Sequence, residues 1–464
     1  MARDATTWEA YSPSEKNPWD IKKVGHLYRR AGFGATHAEL LQGVKDGHEK
    51  TITKLLIGSA ADPDFDRTSE FMASERSMPA GTAGVQLAAW WLDRMIRSPH
   101  PLREKIALFW HNHFATSIAK VANARYMLGQ YRLVYTHALG SFRELLRDMS
   151  FDPAMLIWLD AKESKKGKPN ENYARELMEL FSLGIGHYTE RDIREAAKAF
   201  TGYDVKYGKM TFTEKEHDGS SKSVLGKSGD FKGADIVEIC LAQAACPRFL
   251  TRKLYAYLVS DTDVPTAEEL EPLAQMYKAS GYDTGKLVET ILRSNRFFSS
   301  AVYRTKVKAP VDFAVGIVRG LEGNVGPLNL ANAMASLGQV LFAPPSVKGW
   351  DGGAAWLNAQ TLLFRQNLAL SLTSTEDTRF GRRCDPVVVL AKHAKATDAD
   401  AVSFFLDVFL QGDVAPDARA KLLDYLAKSK TAKYPPFWSA EEVQQHRMRT
   451  VAHLTLTLPE FQLA

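Results

Sequence analysis

Glu171, Asn172, Arg175, Glu176, Glu179 and Ser182 recur at spacings that place them on one side of a helix. At about 100° per residue they fall within an arc of roughly 140°, while Tyr173, Ala174, Leu177, Met178, Leu180 and Phe181 fill the rest. Carboxylic acids so placed can serve as general acid or base, and Arg175 among them can hold an anionic or polar group. Asn170 after Pro169 reads as the N-cap, Glu171 suits the positive end of the helix dipole, and Gly184 reads as the stop. The same spacing also fits a solvated face held by Glu171/Arg175 and Arg175/Glu179 pairs, each contributing about 0.3 to 0.5 kcal/mol.

Further candidate groups lie on both sides of this segment. His111 and His113 close a predicted helix over Leu102 to Trp110, but residues two apart point about 200° apart, so the two imidazoles share one ion only if the helix ends or distorts there. His217 and Asp218 follow a strand and precede Ser220-Ser221-Lys222, in the kind of loop that carries function. Trp350, Asp351, Trp356 and Asn358 come close together among three glycines, which suits either a wall for stacking a sugar ring or a packed aromatic corner. Lys162, Lys165, Lys166 and Lys168 form a polar loop expected to be mobile, able to attract an anion or simply to be solvated.

The elements that must position these groups are mainly helical. Apolar residues recur at three and four in Val24 to Tyr28, Val85 to Leu92 and Leu102 to Trp110, and again through Ile236 to Val259, Thr266 to Lys278, Leu287 to Leu292, Val311 to Leu321 and Ala331 to Leu337. Thr189 to Phe200 reads as a helix with Thr189 as cap and Asp192 in the capping-box position. Tyr203, Val205, Tyr207, Met210 and Phe212 alternate around Gly208-Lys209, which predicts a β-hairpin near 203–213. Phe342 to Gly353 is a loop punctuated by proline and glycine, and helices resume at Leu357. The expected fold is mainly α: an N-terminal arm over 1–20, then one large helical domain over 21–464 with a small β-hairpin insertion, the only internal boundary being signalled near Phe231.

Composition narrows the function classes. The 464 residues are 45% hydrophobic, enough for a large core, and Lys+Arg 59 against Asp+Glu 54 leaves +5 spread along the chain. That balance argues against nucleic-acid partners and polybasic membrane anchoring. Cys240, Cys246 and Cys384 form no C-x-x-C pair, so neither a disulfide framework nor a thiolate zinc cage is indicated, and the residues name no cofactor. Met1 to Asp20 lacks an apolar leader segment and no run approaches about eighteen apolar residues, so the chain as written reads as non-exported and without a transmembrane segment.

Several segments taken in order resemble one bacterial family. They are Leu27 to Thr36 with Arg29-Arg30, Phe109 to Phe114, Asn170 to Gly184 running on to Ala199 to Tyr203, His217-Asp218 with Leu225-Gly226, Phe249 to Leu258 around Arg252-Lys253-Leu254, Val307 to Pro310, Gln339 to Trp356, and Leu458 to Gln462. The whole chain is similar to the family catalogued as domain of unknown function 1800. The resemblance implies a large, mainly helical bacterial protein, often exported and often encoded beside a member of the alkaline phosphatase/sulfatase superfamily, with no established reaction. Tyr203 stands where family members frequently have tryptophan.

Because the family segments gather the polar groups already singled out, a shared polar cleft becomes the favoured expectation, formed by the His111/His113 segment, the Glu171 helix and the His217/Asp218 loop. The expected function is a hydrolase or lyase acting on a glycan or other envelope-type polymer, or on an anionic small molecule. Glu171 and Glu176, with His111, His113, His217 and Asp218, would do the acid-base work. Asn170, Asn172, Arg175, Glu179, Trp350, Asp351 and Trp356 would bind substrate. The alternatives are a metal-dependent hydrolase using His111 and His217, and a non-catalytic accessory protein for a phosphatase/sulfatase-superfamily partner.

Overall fold

A computed structural model describes residues 8–60, 62–74, 81–263, 265–375, 377, 379–380 and 384–464. Residues 1–7 of the expected N-terminal arm lie outside this set. The protein is mainly α: 22 α-helices and two small antiparallel two-stranded sheets are present among the described residues. No helix among them is long and apolar enough to cross a membrane.

The heptad-like apolar spacing of the helices is spent on one large buried cluster that runs from Tyr11 to Phe461. The arm joins it, since Tyr11 is buried against Trp19 and Phe298 and Trp8 donates its indole N–H to Glu269 O at 2.6 Å. At the centre lies the Pro101–His113 helix, buried on almost every side. Its Glu104 carboxylate, fully enclosed, accepts from Trp91 Nε1 at 2.9 Å, Arg94 Nε at 2.8 Å and the Tyr131 hydroxyl at 2.8 Å. Three donors, one of them a guanidinium, oppose the desolvation of that charge. The three cysteines are buried and unbridged.

Local signals at the ends of elements hold closely. The capping box at Thr189 and Asp192 starts the Glu190–Ala199 helix. The hairpin pairs β1 (Tyr203–Lys206) with β2 (Lys209–Phe212) in the register Tyr203↔Phe212. Tyr207 and Gly208 both take positive φ, 52° and 76°, the two-residue geometry that follows the strand twist. A second hairpin, β3 (Lys222–Val224) with β4 (Lys227–Gly229), turns the same way at Leu225-Gly226. Its three-residue strands are too short for alternation to betray them.

Three expectations need correction. The run read as helical from Ile236 to Val259 is two helices, Gly233–Ala242 and Ala245–Leu258, because the backbone at Gln243 is extended. The lysine loop expected to be mobile is tied down: Lys166 N donates to Glu216 O at 2.7 Å, Lys165 pairs with Glu216 at 3.0 Å, and Lys165 and Lys168 bridge each other. The acidic helix is α only over Asn172–Glu176 and continues as a π turn over Leu177–Ser182. There Leu183 N and Gly184 N both donate to Met178 O at 3.0 Å, and the wider turn keeps Leu177, Met178, Phe181 and Ser182 buried together.

Candidate functional site

A cleft of about 590 Å³ opens beside the central helix. Lys105, Phe109, Asn112 and His113 reach it from the Pro101–His113 helix, and Phe249, Lys253, Ala256 and Tyr257 from the Ala245–Leu258 helix. The last four recur at four, seven and eight, one stripe of a helix. The far end of the π turn contributes Glu179 and Leu180, followed by Gly184 and Ile185. Gly184 has φ +83°, and a Cβ there would stand 2.9 Å from the Phe249 ring, so glycine is what lets this turn close onto the neighbouring helix. Trp350, Asp351 and Trp356 come from the glycine-rich loop with Lys348, and Arg29, Arg30, Asp261, Lys306 and Asp312 are among the other lining residues.

The cleft therefore gathers His113, Glu179, Trp350, Asp351 and Trp356 of the residues singled out in sequence. His113 is buried with Nε2 donating to Phe181 O at 3.0 Å, a carbonyl in the π turn. Burial, with the Lys253 charge next in weight, holds this imidazole well below the usual range and so neutral. Glu179 accepts from the Tyr188 hydroxyl at 2.8 Å and has no ion pair among the described residues. The other cleft carboxylates are each matched to a lysine: Asp261 to Lys306 at 3.0 Å, Asp351 to Lys348 at 2.9 Å, and Asp312 to Lys105. Trp350 is almost wholly packed, its ring 5.8 Å from His111, whereas Trp356 is half-buried.

The remaining candidates do not line this cleft. Arg175 turns outward, donating to Glu190 Oε1 and Oε2 at 2.8 Å each and to Glu171 at 3.1 Å, with its side chain 34% exposed. Asn172 is exposed, and Asn170 Oδ1 accepts from Asn172 N at 2.9 Å, so the asparagine pair shapes the helix start. Glu176 is half-buried next to the cleft wall, its carboxyl raised by burial and then by the Glu179 charge. His111 is core: Nε2 accepts from Phe342 N at 3.1 Å, Trp91 meets it edge-on at 5.2 Å, and burial lowers it to about 3.

His217 and Asp218 sit under the hairpin rather than in the cleft. His217 Nδ1 donates to Thr201 O at 3.1 Å with its ring 5.3 Å from Phe212. The Asp218 amide donates to Thr201 Oγ1 at 2.8 Å, and its carboxylate accepts from Ser220 N at 3.0 Å and Ser220 Oγ at 2.6 Å, which lowers its pKa. These bonds fix a loop. With His111 and His217 in separate surroundings the two cannot share an ion, and no cluster of three His, Cys, Asp or Glu suited to a metal occurs among the described residues.

The residues that sequence reasoning passed over are cationic. Lys253 is half-buried, its ammonium 5.2 Å from the Phe249 ring and without a hydrogen bond among the described residues, and burial pushes it down to about 8. Lys306 is likewise lowered to about 8, by burial first and against the Asp261 charge. Arg30 is buried and pushed down to about 9 by burial and by Arg29. Arg30 and Lys253 lie in segments already used for the family resemblance, Lys306 immediately precedes one, and Phe249, Lys253 and Tyr257 are spaced four apart. Reading those segments for charge as well as for identity would have found them.

The family described as "Protein of unknown function (DUF1800)" matches residues 26–463, nearly the whole chain. No curated protein and no solved structure matches it.

Proposed function

The chain belongs to the DUF1800 family, and from that premise we propose that the cleft is the active site of a hydrolase or lyase acting on a glycan-type polymer. The observation that carries this reading is an open cleft in which Trp350 and Trp356 line the same space as Glu179 and His113. Tryptophan edges and faces suit the apolar side of a sugar ring, and an open groove admits a polymer. Glu179 takes the acid-base role that the sequence favoured for Glu171 or Glu176. It is the cleft carboxylate with a hydroxyl rather than a lysine as partner, so no ammonium competes with a substrate for its oxygens. His113, neutral and anchored to Phe181 O, fixes the wall from which Glu179 projects.

A glycan panel tests the reading, scored for new reducing ends (hydrolysis) and for unsaturated products absorbing in the ultraviolet (elimination). Glu179→Gln is expected to lower kcat about a hundredfold, the lower end of what a positioned acid or base contributes. Trp356→Ala is expected to raise KM with less effect on kcat. Turnover that survives both substitutions removes the site assignment.

A second reading, an accessory protein for a phosphatase/sulfatase-superfamily partner, draws on one surface feature. Leu362, Leu363 and Leu370, 38%, 57% and 49% exposed, share one face of the Ala359–Thr373 helix. Co-elution with a coexpressed partner of that class, lost on Leu363→Lys, would favour it over the enzyme.

A further inference from the structure

Three cations of the cleft have no carboxylate partner among the described residues. Arg29 gives Nη1 to Gln411 and leaves Nε and Nη2 buried and unpaired. Arg30 gives Nη2 to Val302 O at 2.9 Å and leaves Nε and Nη1 buried and unpaired. The Lys253 ammonium makes no hydrogen bond among the described residues and lines the cleft 5.2 Å from the Phe249 ring.

The paired cations stand close to these. Lys306 Nζ donates at 2.7 Å to the carbonyl of Ala256, one helical turn beyond Lys253. Lys105 Nζ lies 5.6 Å from the ring of Tyr257, the next member of the same stripe. Arg30 and Lys105 oppose the Lys306 charge while Asp261 attracts it, and Asp261 and Asp312 act on Arg30 from a distance; Lys253 is depressed by burial alone. Buried cationic donors left without a hydrogen-bond partner are costly to hold. An anion entering the cleft would fill the idle donors of lysine and guanidinium, whose bonds to charged oxygen are the strong ones.

We propose that the floor of the cleft is an anion site, in which Lys253 directly receives a phosphate, sulfate or carboxylate group carried on a glycan while Arg30 and Lys306 supply the positive field. The inference rests on the reading of this cleft as the ligand site and gives that reading its substrate class, a charged polymer. Lysine suits the role at the open end because its ammonium is a compact charge on a flexible stem that meets an oxyanion from several directions.

Isothermal titration of the full chain with inorganic sulfate, inorganic phosphate, a polyuronate, a sulfated polysaccharide and a polyglycerol phosphate tests it. Sulfate or phosphate is expected to bind saturably, at least one charged polymer more tightly and in competition with sulfate. Lys253→Met is expected to weaken both about tenfold or more, with Lys253→Arg largely restoring them and the surface change Glu171→Gln leaving them alone. A readout independent of the variants is amine labelling of the unmodified protein, mapped by mass spectrometry, with sulfate slowing Lys253 and not the exposed Lys162. Absence of saturable binding, equal binding by Lys253→Met, or labelling of Lys253 indifferent to sulfate would each overturn the site. Inorganic ions binding with no gain on any polymer would overturn the glycan assignment. Turnover of a neutral glycan without anion binding sinks this inference and leaves the enzyme standing, and anion binding without turnover does the reverse.

Discussion

Asn112 grips the backbone of Trp350 at both polar groups: Oδ1 accepts from Trp350 N at 2.7 Å and Nδ2 donates to Trp350 O at 3.3 Å. The residue before has no room for a side chain. Gly349 takes φ +84°, and a Cβ there would fall 2.2 Å from Asn112 Oδ1. One asparagine on the central helix thus sets where the tryptophan loop meets the cleft.

Asn112→Ala should therefore loosen the loop while leaving the helix intact. The cost expected is about 1 to 3 kcal/mol, the scale for stranding a poorly solvated amide. Tryptophan emission should shift to the red, and affinity for any cleft ligand should fall with Lys253 and Glu179 unchanged. Gly349→Ala should reproduce the emission shift. Wild-type emission and affinity in both variants would show that the loop is positioned by something else.

Arg175 and Glu104, on two different helices, predict opposite responses to losing one charge. Arg175→Met removes a half-exposed pair and should cost under about 1 kcal/mol in urea unfolding at neutral pH. Glu104→Ala strands Arg94, whose side chain is only 11% exposed, and should cost on the order of 3 to 5 kcal/mol. A large loss at Arg175, or a trivial one at Glu104, would contradict the burial of these groups.

Asp152 gives the fold a pH signature. It caps the Pro153–Trp158 helix through Met155 N, accepts from Gln130 at 2.8 Å, and is raised to about 6, burial being the main cause. A carboxyl raised in the folded state takes up its proton before the unfolded chain does as pH falls. Its stabilising contribution is full below the ordinary carboxylate range and lost as pH climbs through about 6. Relative to Asp152→Asn, wild type should lose roughly 3 kcal/mol between about pH 3 and 7. Parallel stability curves for the two proteins would rule this out.

Lys253 and Lys306 tie ligand affinity to pH in a second window. Both are lowered to about 8, so each carries its charge below that pH and sheds it above. Sulfate, which keeps its own charge throughout, should bind more weakly at pH 9 than at pH 7, and the drop should shrink in Lys253→Met. Flat affinity across this range would show that neither lysine meets the anion.

How far the site could be read in advance depends on which physical signal each residue left. Helices, caps and the first hairpin followed from periodicity and turn chemistry, which are local. Glu179, Trp350, Asp351, Trp356 and His113 were visible as residue types that rarely stand idle near glycine loops or helix ends, and the fold brings them together. Glu171, Arg175, His217 and Asp218 looked equally chemical, but their partners Glu190, Thr201 and Ser220 come from local turns and neighbouring helices that spacing alone does not reveal. Lys253 went unnoticed for the converse reason. A lone lysine within an apolar helix resembles any surface lysine until the neighbours that deny it a counterion are known.

The π turn at Leu177–Ser182 gives that helix a change of phase. Its bonds reach one residue further than α bonds, so each residue advances through a smaller angle and the polar stripe slips around the axis partway along. Glu171 and Arg175 are left outside the cleft, paired with each other, while Glu179 arrives at it. The aim of Glu179 is thus stored in backbone winding, and a single-residue deletion within this stretch would swing the carboxylate away without altering any residue that lines the cleft.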